Sequence, residues 1–325
     1  LKARQLRQIL QFTCIVLLGS RGVGSAQDAE SFTLKHVGPN VWAAISKLKS
    51  KAAAAANTGF VIGEDGVVVI DTTASADAEG NVNPEPARHL LAAIRTVTKL
   101  PVKFVINTHY HFDHVAANGV FVDAGATVLA HRNTRGWIHG ENLRMFGDAI
   151  KPQQKTFIDT LLPPAVVYEQ PVDLYLGSRL IRILPFPGHT GGDSVVIVDD
   201  AKVIFTGDLL WRGIPPNMID ASTKPWIETL DALAKNVDAT FVPGHGDVAT
   251  VQDVIALRDY LATLQKLVAD ARVQGKSGAA MIEAVLPALN AKYGQWEYFN
   301  YLAERSILQM DAELSGTKRI PQPTK

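Results

Sequence analysis

The sequence predicts an α/β protein with a helical C-terminal part. Three observations lead there. Short apolar runs bounded by Gly, Pro, Asn and Asp recur from Phe32 to Val242, as buried strands do. A helical stripe, Leu90, Leu91, Ile94, Val97 and Leu100, interrupts them and is stopped by Pro101. Beyond His245, apolar residues fall at helical spacing over 251–273, 279–289 and 296–314. No Ser/Gly linker, charge block or internal repeat divides the chain. Residues 27–250 are therefore read as one domain, and 251–325 as a helical extension packed on the same core.

The front of the chain is different. Lys2, Arg4 and Arg7 precede an apolar run from Ile9 to Leu18, and Gly24-Ser25-Ala26 follows. That order is expected of a secretory signal peptide over residues 1–26, and the run is too short to span a bilayer. The protein is thus expected to be periplasmic or secreted, without stable membrane association once the leader is cleaved. Residues 1–26 hold Lys2, Arg4, Arg7 and Arg21 and no acid, so the rest keeps 28 of the 32 basic residues against all 32 acidic ones. Such a mildly acidic remainder gives no reason to expect nucleic acid as a partner. A small-molecule substrate is expected instead. The single cysteine, Cys14, lies in the leader, which leaves no thiolate for catalysis or metal binding.

In order, Phe32–Ile45 reads as strands around Gly38-Pro39-Asn40, and the Ala52–Ala56 run as filler. Thr58–Ile62 and Val67–Ile70 form a hairpin signal around Gly63–Gly66. Asp71 ends that hairpin and either orients a group beneath a site or caps a turn. Residues 77–86 read as a surface loop, Arg88–Leu100 as a helix, Val102–Ile106 and Ala126–Ala130 as strands, and 131–170 as a helix followed by long loops. His131 and His139 in that stretch lack neighbours of ligand type and are read as non-ligands. Strands then follow at 173–176, 180–185, 194–198 and 203–205. The last residues, 316–325, read as a frayed tail.

Chemistry concentrates where strands end. Asn107-Thr108-His109-Tyr110-His111-Phe112-Asp113-His114 follows the Val102–Ile106 run. In an extended segment His109, His111 and Asp113 would share one side, with His114 turning back. Imidazole and carboxylate together suit a borderline metal such as zinc. Three later loops repeat the pattern: Pro187-Gly188-His189-Thr190, Thr206-Gly207-Asp208 and Pro243-Gly244-His245-Gly246. Each follows an apolar run and sets glycine beside the polar residue, which lets the backbone turn sharply near an ion. No serine elbow and no His-Glu-x-x-His helix competes with this reading.

With these motifs in this order, the chain resembles the metallo-β-lactamase superfamily over roughly Thr58–Asp247. The resemblance implies a four-layer αβ/βα sandwich with metals at one edge between two sheets. It implies His109, His111 and His189 on a first zinc, Asp113, His114 and His245 on a second, and Asp208 bridging the pair. It further implies that metal-activated hydroxide attacks an ester, thioester, lactone or β-lactam carbonyl, with Asp113 holding the hydroxide and moving its proton. Trp211, Arg212 and Lys224, in the 209–226 stretch, are the residues expected at the substrate.

Departures from the family's subgroups matter. The best-known lactamases of this fold have cysteine at the Asp208 position and arginine at the His114 position, so β-lactamase activity is not the first expectation. The bridging aspartate resembles glyoxalase-type thioesterases and lactonases. Lactonases usually carry a tyrosine where this chain has Trp211. Two alternatives share the pattern: a mononuclear-iron persulfide dioxygenase, whose loop is similar to Gly207–Gly213, and a non-catalytic periplasmic metal-binding accessory protein.

Overall fold

The computed structural model describes residues 31–47, 55–76 and 82–324. The leader segment, 1–26, and most of the alanine-rich run lie outside these.

The first half begins with β1 (Phe32–Gly38) and β2 (Val41–Ser46), then β3 (Thr58–Ile62) and β4 (Val67–Ile70), the hairpins read from the sequence. A two-residue pair, β5 (Ser75–Ala76) and β6 (Val82–Asn83), precedes α1 (Glu85–Val97). This helix starts three residues before the expected Arg88. Pro86 stands in its first turn, where a missing N–H has no partner to lose. It ends at Val97, with Thr98 already extended at φ −144°. Next come β7 (Val102–Asn107), α2 (Phe112–Val115), α3 (Asn118–Asp123) and β8 (Thr127–His131). Residues 131–170 are not a helix and long loops. They hold α4 (Arg132–Trp137), α5 (Gly140–Phe146), α6 (Pro152–Asp159) and an edge strand, β9 (Val166–Tyr168).

The second half supplies β10 (Val172–Leu176), β11 (Arg179–Pro185), β12 (Ser194–Val198), β13 (Val203–Trp211), α7 (Thr223–Leu233) and β14 (Thr240–His245). Helices α8 (Val251–Val273), α9 (Gly278–Tyr293) and α10 (Phe299–Leu314) close the chain. The last was expected from Trp296 and begins at Phe299, where Tyr298 turns left-handed at φ 57°.

Two sheets result. One has the order β1-β2-β3-β4-β7-β8-β9, antiparallel at first and parallel from β4 onward. The other has the order β10-β11-β12-β13-β14, with only the last pair parallel. The inner strands β3, β4 and β13 are buried on both faces, and period two decides which core each residue enters. Val68 and Ile70 of β4 join Phe205 of β13 and Val242 of β14 in the layer between the sheets. Val67 and Val69 face outward to Leu90 and Ile94 of α1. Ile204 and Phe241 face outward to Trp226 of α7 and Leu257 of α8, in a core that also takes Leu289 of α9 and Ile307 of α10. The order of layers is helix, sheet, sheet, helix, as expected.

The tail is a correction. Residues 316–324 are laid against the body: Pro321 is buried, the Trp137 indole donates to the Gln322 carbonyl at 2.8 Å, and Arg319 makes a double hydrogen bond to Glu141 at 2.6 and 2.8 Å. Among the described residues, no helix is long and apolar enough to cross a membrane.

Candidate metal centre

The site lies at the edge where β7 and β14 both end, between the sheets. His109 and His111 leave β7 in non-helical backbone, but Asp113 and His114 belong to α2. The expectation that His109, His111 and Asp113 share one side of an extended segment therefore fails. The helical turn sends Asp113 and His114 to a different group.

Two groups form. His109, His111, His189 and Asp208 each offer a ligand atom, all within 4.8 Å of one another, and so do Asp113, His114 and His245. Asp208 faces both. Its Oδ2 lies 3.2 Å from His189 Nε2 and 3.7 Å from His109 Nε2, and its Oδ1 lies 3.0 Å from His114 Nε2 and 3.3 Å from His245 Nε2. His111 Nδ1 is 2.9 Å from His189 Nε2, so these two nitrogens also meet. On the other side Asp113 Oδ2 is 3.4 Å from His245 Nε2 and 3.7 Å from His114 Nε2. Arg212, whose charge lies near Asp247 and Asp253, lines a cavity of about 520 Å³ with Lys35 and Trp296. Lys224 is not brought in: it is 85% exposed, on the outside of α7 beside Glu228. Trp211 is 4% exposed and lies against His245, ring centroids 4.0 Å apart, which makes it a support of that imidazole.

Glycine makes this approach feasible. A Cβ on Gly244 would sit 1.9 Å from Asp208 Oδ1, and one on Gly207, which turns at φ 51°, would sit 2.3 Å from Thr108 Oγ1. Three of the five imidazoles, His109, His111 and His114, also have a partner at the nitrogen turned away from the centre. His114 Nδ1 lies 2.8 Å from Asp71 Oδ2, and Asp71 also accepts from the Thr108 amide and hydroxyl, both at 2.7 Å. Of the two readings left open for Asp71, the orienting one holds. His109 Nδ1 is 3.1 Å from Thr108 Oγ1, and His111 Nε2 is 3.4 Å from Asp220 Oδ2. Asp220 was not foreseen. Its signal was a lone acid amid Met218, Ile219 and Ala221. Nor was Asn57, whose amide donates to the Pro243 and Gly246 carbonyls and so pins the His245 loop. His131 caps α4 and His139 faces the Leu161 carbonyl, both away from the groups, as read.

Without an ion the cluster is electrostatically uneven. Burial, then His114, drives His109 well below the usual imidazole range, and burial lowers His111. Burial pulls the same way on His114, but Asp208, Asp113 and Asp71 outweigh it and hold His114 well above that range. His245 is pushed up to about 9 against burial, first by Asp208. Burial disfavours charge on Asp208, yet His245 and His114 keep its carboxyl well below the ordinary range. Five buried polar atoms of the cluster have no hydrogen-bond partner: His109 Nε2, His114 Nε2, Asp208 Oδ1, His189 Nδ1 and His245 Nδ1, the first three of them turned toward the facing ligand groups. Buried orphans on facing imidazole and carboxylate groups fit a divalent cation, since a protein does not bury such atoms without a counterpart.

The fold and this site define the class: the chain belongs to the metallo-beta-lactamase superfamily, whose family model matches residues 53–245. The chain is similar to the linear primary-alkylsulfatase of a Pseudomonas strain, 23% identical over 72% of this chain and 51% of that protein. It is also similar to the hydroxyacylglutathione hydrolase of Haemophilus influenzae, 28% identical over 47% of this chain and 72% of that one. It therefore spans about half the length of the first relative. Among solved structures, a metallo-beta-lactamase from Pontibacter korlensis superposes with a TM-score of 0.56, covering 70% of this chain and 99% of that chain at 23% identity, a likeness of fold.

Proposed function

We propose that this protein is a dinuclear zinc hydrolase that cleaves an ester, thioester, lactone or β-lactam carbonyl, with Asp208 shared between the two ions. The observation that carries this is the division of the Asp208 oxygens between the two imidazole groups. A single iron held by three residues would leave Asp113, His114 and His245 converged without purpose, so the dioxygenase and accessory readings have no comparable support. Bound in these groups, zinc supplies Lewis acidity and water whose pKa falls to about 7.

The chain's own residues do the rest. Asp113 is 28% exposed, whereas the other six are 5% or less, so substrate and water approach from its side. Burial disfavours its charge, but His114 and His245 hold its carboxyl below the usual range, so it is ionised at neutral pH and ready to accept a proton. Trp226 packs on His189 at 5.4 Å and Trp211 on His245 at 4.0 Å, closing the rear of the site to water. A relative that bears the name acyl-coenzyme A thioesterase, from Bos taurus, supports a thioester among the candidate bonds.

A second reading is hydrolysis of an alkyl sulfate ester. The alkylsulfatase match extends over 72% of the chain, against 47% for the hydroxyacylglutathione hydrolase. One zinc-loaded preparation assayed on a thioester, a lactone, a β-lactam and an alkyl sulfate separates these. Thiol or acid release supports the first reading and sulfate release the second. Metal analysis showing one iron and no zinc, with oxygen uptake on a persulfide, overturns both.

A further inference from the structure

The tail over residues 316–324 touches none of the ligand residues, yet it reaches both halves of the first group. One route runs through charge. Arg319 clamps Glu141, Glu141 accepts from Arg144 Nε at 2.5 Å, and Arg144 donates to Asp220. Asp220 in turn accepts from the Tyr110 hydroxyl and faces His111 Nε2. Its side chain is fully buried, and burial is opposed first by His111 and then by Arg144. An imidazole with Nε2–H directed at a carboxylate presents Nδ1 as its lone pair, and Nδ1 is the atom beside His189. On the same helix, Asn142 accepts from the Phe112 amide and donates to the Tyr110 carbonyl, bracketing His111.

The other route runs through α4. The Asn133 side chain donates to the Gly191 carbonyl, and Thr134 donates to that of Gly192, in the loop that carries His189. Asn133 Oδ1 accepts from the Thr324 amide at 3.0 Å, and Trp137, whose ring lies against Gly191, donates to Gln322. The second group is braced elsewhere, by Asp71 on His114 and by Asn57 on the His245 loop.

We propose that residues 316–324 are a buttress that positions His111 and the His189 loop, and so sets the metal affinity of the first group while leaving the second alone. Arg319 and Asp220 are the positioning residues. The inference rests on both groups being metal sites. It assigns to a peripheral segment a selective grip on one of two ions.

The test titrates the metal-free full chain with Zn²⁺ against a chromophoric chelator, and with Co²⁺ followed by its visible bands. Wild type should take two ions. Asp220→Asn should weaken one binding step about 10- to 100-fold, as changes behind a ligand do. Arg319→Ala, three ion pairs out from Asp220 and partly exposed, should weaken the same step about three- to fivefold and shift the Co²⁺ bands of that ion only. Arg319→Ala combined with Glu141→Gln should lose no more than the worse single variant, because both break one chain. Thermal melts of the metal-free variants check the fold, and Arg319, 59% exposed, is safe to remove. If wild type binds two ions and Arg319→Ala matches it within twofold at both steps, or weakens both alike, the buttress is disproved. If wild type binds no metal, the dinuclear reading fails first.

Discussion

Asp71 holds His114 from behind: its Oδ2 lies 2.8 Å from Nδ1, while the imidazole's other nitrogen faces Asp208. Asp71 is itself in left-handed backbone at φ 58°, a conformation costly for a residue other than Gly, Asn or Asp. Its carboxylate also takes the Thr108 amide and hydroxyl, so one side chain joins the ends of β4 and β7. Asp71→Ala would strand three donors. The metal-free protein should lose about 2–4 kcal/mol in a urea titration. Zinc should bind about 10- to 100-fold more weakly at the second group, read by chelator competition.

Asp208 answers for both groups at once. Asp208→Ala should leave at most one ion per chain by elemental analysis and lower hydrolysis more than about a hundredfold, beyond the effect of residues behind the ligands. A variant retaining two ions and near-normal rates would refute the sharing.

Gly244→Ala adds no charge and keeps an ordinary backbone. Its methyl would nevertheless occupy the place of Asp208 Oδ1, 1.9 Å away. The expected result is a protein of native circular dichroism with weakened binding of both ions, since one bridging carboxylate is displaced. Unimpaired binding would show that the β13–β14 spacing is looser than described.

The pH dependence of the metal-free protein follows from His114 and His245, whose folded pKa values are raised above the free value, the latter to about 9. A raised imidazole contributes stability that is complete below about 6.5 and is lost as pH climbs through the folded value. Thermal midpoints of the metal-free protein should therefore fall between about pH 6.5 and 9. Zinc needs neutral imidazole, so its uptake at pH 7 should release protons from these two residues. Calorimetry in buffers of differing ionisation enthalpy measures that release, and the part owed to His245 should shrink as pH approaches and passes 9.

The sequence alone determined the α/β class, most of the strands, and all seven residues that meet at the centre. The reason is local. Histidines crowded into 109–114, and glycine beside His189, Asp208 and His245, are patterns that packing by itself does not produce. The helix ends were less legible, because a proline such as Pro86 opens a helix as readily as it closes one. Three things were decided only by tertiary structure. The local pattern alone put Asp113 with His109 and His111, and it is α2, turning the chain after an extended start, that sets it beside His245, as the family resemblance implied. Lys224 went outward, since helix α7 buries Trp226 and Thr223. Asp220 and the 316–324 tail acquired their places through contacts with residues some 76 to 191 positions away in the chain, which no local pattern encodes. A metal ligand announces itself by its own chemistry, whereas a residue that steadies a ligand is defined by what the fold sets next to it.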